Sequence, residues 1–197
     1  MIYRFYEYWI AEDLKTFPKE ICFMLSDTDI RADVNKLGEV VTWAKEFPEI
    51  KKIIFHISTA EAKKIEELIN PAALAKKTSV RISTPDHDTT SGTGTPEILI
   101  ALGKKGREEI TDAIIQIAKE GIDPETITEE TIESHLAYQV NPDFVIKTGG
   151  SHLTDFLIWQ SVYSELFFTD INWSMFRRVD FLRALRDYQS RGRRFGK

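Results

Sequence analysis

Short stretches dominated by apolar residues recur along this chain, and they constrain its fold more than any other feature. They cover residues 21–25, 52–57, 80–82, 98–102 and 144–146. Such runs are typical of strands that are buried on both faces of a parallel sheet. Helically spaced apolar residues predict helices over 1–16, 32–46, 151–168 and 177–191, with two more ending near Ile69 and Ala118. The alternation predicts a single α/β domain over residues 1–197, with a mainly parallel sheet and helices on both faces.

Composition excludes several classes of protein. The net charge of −5 argues against a general nucleic-acid binder. The single cysteine, Cys22, allows no disulfide within the chain and fits a reducing compartment. No apolar stretch approaches the roughly 20 residues that cross a bilayer, and the first residues lack the features of a signal peptide. We therefore expect a cytoplasmic protein.

The segment 1–16 is very aromatic for a surface helix. Its apolar residues are Ile2, Phe5, Tyr6, Trp9, Ile10 and Leu14. Core packing is the interpretation that this spacing favours, because basic residues are few. A partner protein and a membrane surface are the alternatives, so peripheral contact with a membrane stays open.

Polar loops follow the predicted strands. They comprise residues 26–29, 58–59, 103–107 and 147–154. Ligands of parallel sheets bind at the carboxyl ends of the strands, so these loops are expected to line one site. A further segment, 85–96, has no apolar residue and is predicted to be a flexible loop.

The most informative of these loops follows the run 144–146. Lys147 and the glycines Gly149 and Gly150 suggest a strand that ends in a glycine turn, and a helix with His152 and Thr154 in its first turn is predicted next. Backbone N–H groups at a helix start, short hydroxyls and a nearby cation form a natural anion site. A cationic tail at 191–197 ends the sequence and is predicted to be functional.

Two segments near the carboxyl end resemble the cis-prenyltransferases, the family of undecaprenyl and dehydrodolichyl diphosphate synthases. Residues 147–170 read KTGGSHLTDFLIWQSVYSELFFTD, similar to the family's RTGGEHRISNFLLWQxAYxELYFTD. Residues 180–196 read DFLRALRDYQSRGRRFG, similar to DFxxALxxYxxRxRRFG. Weaker similarities follow in order upstream, at 43–59 and 100–110.

The resemblance implies a diphosphate site. Members join isopentenyl diphosphate to an allylic diphosphate with cis geometry, using Mg²⁺. By this resemblance, isoprenoid diphosphates are the expected ligands, and the residues expected to contact them are Ser58, Lys147, Gly149, Gly150, His152 and Thr154. Asp27 and Glu165 are the weaker candidates for metal ligands. For Glu165, the alternative is an ion pair with a nearby arginine.

The chain departs from the family where the chemistry is concentrated. Ser26 stands in register with the aspartate of the family signature MDGNGRWA, and a slip of one residue is needed to bring Asp27 there. Lys147 replaces the first arginine of the 147–154 segment, and the second arginine is absent. A lysine keeps the charge but loses the bidentate fork. The family's helix between its third and fourth strands is replaced by the loop 85–96.

These losses resemble the non-catalytic subunits of heteromeric cis-prenyltransferases, the class that includes the Nogo-B receptor. That resemblance implies a chain that is inactive alone and pairs with a catalytic homologue, which would hold most of the Mg²⁺. Arg194 and Gly196 would then enter the partner's active site, and the aromatic run 163–176 would form the interface. The alternatives are a diverged homodimeric synthase that uses Asp27, Lys147 and Arg194, and a non-enzymatic polyprenyl-diphosphate binding protein.

Overall fold

The computed structural model describes residues 2–74, 76–103, 106–150 and 157–191, with side chains from residue 5 onward. The helices within these ranges are α1 Ile2–Asp13, α2 Asp27–Ala32, α3 Lys36–Ala44, α4 Ala62–Leu68, α5 Pro71–Leu74, α6 Gly106–Lys119, α7 Glu129–His135 and α8 Arg178–Ser190. The strands are β1 Glu20–Ser26, β2 Lys52–Ser58, β3 Ser79–Ser83, β4 Asp88–Ser91, β5 Glu97–Leu102, β6 Phe144–Thr148 and β7 Glu165–Thr169. Single 3₁₀ turns lie at Pro124–Thr126 and Trp173–Met175.

All seven strands form one sheet in the order β4-β3-β5-β2-β1-β6-β7. Every neighbouring pair is parallel except β3 and β4, so β4 is an antiparallel edge strand. The predicted α/β domain with a mainly parallel sheet is thereby confirmed. Parallel pairing places the carboxyl ends of six strands along one edge of the sheet, called the carboxyl edge here. The amino ends of these strands lie along the opposite edge, called the amino edge.

Side chains of successive strand residues point to opposite faces and build two unequal cores. The first face carries Ile21, Phe23 and Leu25 of β1 and their lateral neighbours, and residues of α1, α3 and α8 cover it. The second face carries Cys22 and Met24, covered by Tyr138, Val140 and Leu157. Helices α6 and α7 lie beside that second layer, so helices flank both faces, as predicted.

Aromatic packing at the centre of the first face is dense. Trp173 is fully buried, and its ring centroid lies 5.9 Å from that of Phe23 and 6.3 Å from that of Phe55. The Trp173 Nε1–H donates to the Asp33 carbonyl at 2.9 Å, so its polar atom is also satisfied. Phe176 and Phe181 are equally inaccessible to solvent. This cluster anchors the chain between β7 and α8 to the sheet.

Two predicted segments differ from the structure. Residues 85–96 were expected as a loop, but Asp88–Ser91 pairs with β3 as the edge strand β4. Residues 151–168 were expected as a helix, but Glu165–Thr169 is the strand β7, parallel to β6. Strand β4 is defined by its pairing with β3, since its residues form no apolar run. Residues 165–169 do include Phe and Thr side chains that favour strands, but the helical spacing upstream obscured this signal. The part of 151–168 at residues 151–156 lies outside the described residues.

No helix in the described ranges is long and apolar enough to span a bilayer.

Candidate functional site

The polar loops predicted to line one site do meet at the carboxyl edge. Ser26, the last residue of β1, pairs directly with Ser58, the last residue of β2. On the other side of β1, Met24 pairs with Lys147 of β6. The glycines Gly149 and Gly150 therefore follow at the level of Ser26. This edge brings together the described residues of the predicted diphosphate site apart from Glu165.

The end of β1 is closed by a capping box. The Asp29 Oδ2 accepts hydrogen bonds from the Ser26 N–H at 2.9 Å and from the Ser26 hydroxyl at 2.7 Å, and the Asp29 N–H donates to the Ser26 Oγ at 3.2 Å. Residues 26–29, predicted as a polar loop, therefore begin the helix α2 instead. The physical reason is that a Ser followed three residues later by an acid satisfies the orphan N–H groups of a helix start. This reciprocal pairing fills the place where the family signature has its aspartate.

Within residues 26–29, the carboxylate of Asp27 remains partly exposed to solvent. It is half-buried, and its Oδ1 accepts the N–H of Thr28 at 2.8 Å. The nearest cation in the same helix, Arg31, is engaged elsewhere, in an ion pair with Glu61 at 2.9 Å. The pKa of Glu61 is lowered, mainly by its hydrogen bond from Lys64 and to a smaller extent by Arg31. Arg31 is thus shared with an acid rather than directed at a ligand.

Ser58 is half-buried at the end of β2. The helix that was predicted to end near Ile69 is α4, which begins at Ala62 with Glu61 at its N-cap and no side-chain cap bond. Thr59 instead accepts the Glu61 N–H at 2.9 Å. Three residues, 59–61, thus separate Ser58 from the helix, and Ser58 lies at the level of Ser26 on the carboxyl edge.

Lys147 supplies positive charge to this edge. Its half-buried ammonium donates to the carbonyl of Thr148 at 2.7 Å. Within the described residues it forms no ion pair with a carboxylate. A carbonyl is a weak competitor for an ammonium, so Lys147 can turn to an anion without breaking a salt bridge. The role of Lys147 in diphosphate binding stays a prediction.

Gly149 and Gly150 adopt the positive φ angles of 72° and 130° that favour glycine. Their N–H groups, however, donate to the carbonyls of Ile171 at 2.9 Å and Thr169 at 3.2 Å. These bonds extend the β6–β7 pairing past the end of both strands. The predicted use of the two amides in anion binding would require both bonds to break, because each N–H provides one donor.

Four of the predicted site residues lie outside the described residues, namely His152, Thr154, Arg194 and Gly196. The described chain brackets them. Gly150 and Leu157 flank the first pair, and Leu157 is buried against the second face. Arg191 precedes the second pair at the end of α8.

Glu165 lies far from the other candidates. The sequence predicted Glu165 on a helix, but it is the first residue of β7. There it pairs with Phe144 at the amino edge. Phe144 in turn pairs with Ile21, five residues before Ser26, and five strand residues span about 17 Å. Its carboxylate accepts from Arg191 at 3.3 Å, the ion pair that the sequence offered as the alternative.

Mg²⁺ is the metal that the family implies, and the described residues of one chain do not fit it. Mg²⁺ requires octahedral oxygen ligands. Asp29 is committed to its capping box, and Glu165 is too distant to share an ion with Asp27. Among the described residues, no group of three or more His, Cys, Asp or Glu side chains could hold a metal ion. Asp27 alone remains as a ligand candidate.

Sequence reasoning missed a buried polar cluster on the second face. Its members are Glu109, Tyr138 and Gln160, called the polar node here. Glu109 is 1% exposed and lies one and two helical turns before the buried Ala113 and Ile117. That i, i+4, i+8 spacing was a usable signal, because it puts a carboxylate on the inward stripe of an amphipathic helix.

The aromatic run predicted as an interface divides between core and surface. Trp173 and Phe176 are core residues, contrary to the prediction, because they pack on Phe23. An exposed apolar patch does exist next to them in sequence, with Val162 67% and Tyr163 69% exposed. Ile158 and Phe168 are also exposed, at 41% and 38%. A cleft of about 520 Å³ beside it is lined by Glu129, Glu133, Asn141, Pro142, Asp143, Trp159, Gln160, Val162 and Tyr163.

Comparison with known sequences assigns a family to most of the chain. The profile of the family described as "Putative undecaprenyl diphosphate synthase" matches residues 31–196. The tritrans,polycis-undecaprenyl-diphosphate synthase (geranylgeranyl-diphosphate specific) of Methanocaldococcus jannaschii is 55% identical over 108 residues, covering 50% of this chain and 38% of that protein. Isoprenyl transferase 1 of Corynebacterium efficiens is 34% identical over 205 residues, covering 85% of this chain and 80% of that protein. The chain thus spans less than half of the length of the first relative.

Two solved structures share the fold. A lavandulyl diphosphate synthase from Lavandula x intermedia, in complex with dimethylallyl diphosphate, superposes with a TM-score of 0.73 at 19% identity, covering 92% of this chain and 99% of that chain. A probable undecaprenyl diphosphate synthase from Campylobacter jejuni gives a TM-score of 0.69 at 18% identity, covering 93% and 100%. At these identities the likeness concerns the fold alone.

Proposed function

Because this chain belongs to the cis-prenyltransferase family, we propose that it is the accessory subunit of a heteromeric enzyme. The complex would make a long-chain polyprenyl diphosphate from isopentenyl diphosphate and an allylic diphosphate. The observation that carries the proposal is the capping box at the end of β1, in which Asp29 is bonded to Ser26. In this state the acid is a structural cap rather than a metal ligand.

Charge at the carboxyl edge supports the same proposal. Departure of a diphosphate needs fixed positive charge and free N–H donors aimed at the leaving group. Here Arg31 is neutralised by Glu61, and the N–H groups of Gly149 and Gly150 are already paired. Lys147 is a cation at this edge that forms no ion pair among the described residues. Such an edge favours weak anion contact through Lys147, Ser58, His152 and Thr154 over catalysis by this chain alone.

The position of α8 supports donation of the tail to a partner. Arg191 ends α8 at the amino edge, held by Glu165 and by Asp187 at 2.6 Å. Arg194 follows three positions later, and three extended residues span about 10 Å. That is shorter than the distance of about 17 Å between the levels of Glu165 and Ser26 along the strands. The tail therefore begins at the amino edge, and the three positions up to Arg194 are too few to reach the carboxyl edge of the same chain along the strands.

In the complex, Arg194 and Gly196 would contact the diphosphate in the partner's site, where the catalytic homologue would hold most of the Mg²⁺. The exposed patch of Ile158, Val162, Tyr163 and Phe168 is the surface proposed to bury against that partner. Its aromatic and aliphatic character fits the core of a protein interface.

Turnover measurements test this function. The purified chain with isopentenyl and farnesyl diphosphates and Mg²⁺ is expected to be inert. Co-expression with a homologue that carries the aspartate signature should restore elongation. Arg194→Ala should then lower the rate roughly 100-fold, the scale of losing one donor to the developing charge. Arg193→Ala is the matched control and should have a small effect. An unchanged rate in Arg194→Ala would rule out tail donation.

A homodimeric synthase that is active alone is the second candidate. The relatives that match this chain favour it, since they are named as synthases and isoprenyl transferases. In that case Asp27, Lys147 and Arg194 would carry the site. Elongation by the isolated chain, abolished by Asp27→Asn, would establish it. Diphosphate binding without turnover, in the presence of any homologue from the same genome, would instead indicate a binding protein.

A further inference from the structure

A second cleft, of about 300 Å³, opens beside the cleft of about 520 Å³ described above. The two share Glu133, Asn141, Trp159 and Gln160 in their walls, so they are neighbouring parts of one hollow, called the acidic cleft here. Among the described residues that line its two parts, none is a lysine, an arginine or a histidine. Its polar lining therefore consists of acids and neutral groups.

The carboxylates of the acidic cleft come mainly from α7. Glu129 lines the larger part, Glu130 the smaller part and Glu133 both. All three are exposed, and none of them forms an ion pair within the described residues. The pKa of Glu130 is lowered, mainly by a hydrogen bond from the Thr128 side chain, which keeps this group ionised at neutral pH. Uncompensated negative charge of this kind in a cleft attracts cations.

Aromatic rings contribute to the same walls. Trp159 is half-buried and lines both parts, and its Nε1–H donates to the Glu133 Oε1 at 3.3 Å. Tyr163, which is 69% exposed, lines the larger part. The faces of such rings attract ammonium groups, and the methylene stem of an amine can pack on apolar surface. The hydrogen bond to Glu133 thus holds a ring beside a carboxylate, a combination that suits an organic cation.

Gln160 supplies a buried acceptor to the wall that both parts share. It is 6% exposed, and its Nε2 donates to both Glu109 oxygens at 3.0 Å and to the Tyr138 carbonyl at 3.1 Å. The polar node is fixed in turn by the Tyr138 N–H, which donates to Glu109 at 2.8 Å, and by the Tyr138 hydroxyl, which donates to the Leu102 carbonyl at 3.3 Å. The amide therefore cannot flip, and its Oε1 is left buried without a hydrogen-bond donor among the described residues. An ammonium has donors and no acceptor, so it is the group that such an oxygen lacks.

The acidic cleft is separate from the predicted diphosphate site. Asp143 and Tyr163 line its larger part, and they lie just before the first residues of β6 and β7. That part of the cleft therefore borders the amino edge, whereas Ser26, Ser58 and Lys147 lie at the carboxyl edge.

We propose that the acidic cleft binds a linear polyamine, an aliphatic chain with two or more ammonium groups. Glu129 and Glu133 are about 6 Å apart along the axis of α7, similar to the spacing of neighbouring ammonium groups on a butylene stem. Among the described residues, no group of three or more His, Cys, Asp or Glu side chains could hold a metal ion. These carboxylates are thus too dispersed for one small ion and suit a cation whose charges are separated. The ligand class follows from the cleft alone and is independent of the proposed function.

Calorimetric titration of the purified full chain with spermidine tests this site. Wild-type protein should bind spermidine, and the affinity should fall as salt is raised, because exposed charges are screened. Glu129→Gln combined with Glu133→Gln should weaken binding roughly tenfold, since two exposed charge contacts are lost. Glu49→Gln combined with Glu67→Gln is the matched control, because it removes the same charge from exposed carboxylates outside the cleft. The control should change the affinity less than about twofold. Equal losses in the two double variants, or no binding by the wild type, would overturn the site.

Two further probes define the class of ligand. Mg²⁺ at matched ionic strength should not displace spermidine, and displacement would overturn the proposal by showing nonspecific attraction of cations. Nα-acetyl-lysine amide carries a single ammonium on a similar stem and should bind at least about tenfold more weakly. Equal binding of this compound would show that one lysine side chain suffices, and it would overturn a polyamine site.

Trp159 reports whether the cation enters the cleft. Spermidine should change the tryptophan emission of the wild type but not that of Trp159→Phe, because Trp9, Trp43 and Trp173 do not line the cleft. Trp159→Ala should weaken binding about two- to fivefold through loss of the ring. The same emission change in Trp159→Phe, or an unchanged affinity in Trp159→Ala, would overturn the site by placing the cation elsewhere. If Trp159→Ala does not fold, the emission change and the glutamate variants decide the question.

Discussion

The two faces of the sheet are built by different rules. Among the described residues, the first face buries 32 hydrophobic side chains in one cluster, and the second face buries nine. The first cluster is aliphatic and aromatic throughout. The second shares its layer with buried polar groups, namely His56, Glu109, Gln160 and Ser161.

The difference separates stability from function. Apolar burial is non-directional and contributes in proportion to area, so the first face supplies most of the folding free energy. A buried polar group needs a defined partner and therefore fixes geometry. The second face has the hydrogen-bonded node that borders the carboxyl edge. Substitutions on the first face should therefore mainly change stability, whereas those on the second face should depend on the bonding of single polar groups. Four measurements examine this difference.

Trp173→Ala should give the largest effect. The side chain is fully buried at the centre of the first face, and its loss leaves a cavity among aromatic rings. The free energy of unfolding should fall by about 3–5 kcal/mol. Chemical denaturation measures it, and Met175→Ala, two residues away and 66% exposed, is the control that should stay within about 0.5 kcal/mol. Equal effects of the two substitutions would contradict the assignment of the first face as the stabilising core.

The pH dependence of the free energy of unfolding tests whether Cys22 is buried on the second face. Desolvation raises its pKa from 9.0 to about 12, against a smaller opposing hydrogen bond from the backbone of His56. The folded state then retains a proton that the unfolded state loses, so the stability is complete below pH 9 and declines between pH 9 and 12. The decline from this group should approach about 1.4 kcal/mol per pH unit. The loss of stability per pH unit should be smaller in Cys22→Ala, as measured by urea denaturation across this pH range. Identical pH dependence would mean that the thiol is accessible.

Ser161→Ala should have a smaller effect of opposite sign. Its Oγ is buried and has no hydrogen-bond partner among the described residues, and such an atom costs about 1–3 kcal/mol. Removing it should stabilise the protein slightly, by about 1 kcal/mol, as a rise in the denaturation midpoint. A loss of stability would show that the hydroxyl has a partner that forms in solution.

The outer side of α1 should barely affect stability. Phe5, Tyr8 and Trp9 are 59–70% exposed, while Ile10 faces the core. Phe5→Ser with Trp9→Ser should change the free energy of unfolding by no more than about 0.5 kcal/mol each. If the chain contacts a membrane peripherally, the same pair should abolish sedimentation with phosphatidylglycerol vesicles, and Ile114→Ser on α6 should not. Absence of vesicle binding by the wild type would remove membrane contact from consideration.

Much of the fold was predictable because its signals are strong and local. Apolar runs correctly located β1, β2, β3, β5 and β6. Strand β4 was missed because Asp88 and its threonine neighbours show no apolar run, and only pairing with β3 defines them as a strand. Strand β7 was missed because the helical spacing upstream continues into it.

The position of the candidate site was predictable from the sequence, but the bonding of its donors and acids was not. The rule that parallel strands end at one edge correctly brought Ser26, Ser58 and Lys147 together. Whether a donor or acid is free depends on contacts between distant segments. The pairing of Gly150 with Thr169, and of Arg31 with Glu61, follows from the tertiary structure and leaves no mark in the local sequence.

The pairing of β1 with β6 has a consequence for the order in which the molecule assembles. Ile21 pairs with Phe144, more than a hundred residues later in the chain, whereas β3 and β4 are joined by a short hairpin. Closing so long a loop is slow, and it cannot begin on the ribosome until the second strand has emerged. Until then the flank of β1 stays open to other chains. Since Ser26 and Gly149 meet only through that closure, the carboxyl edge is among the last parts of the protein to form during synthesis.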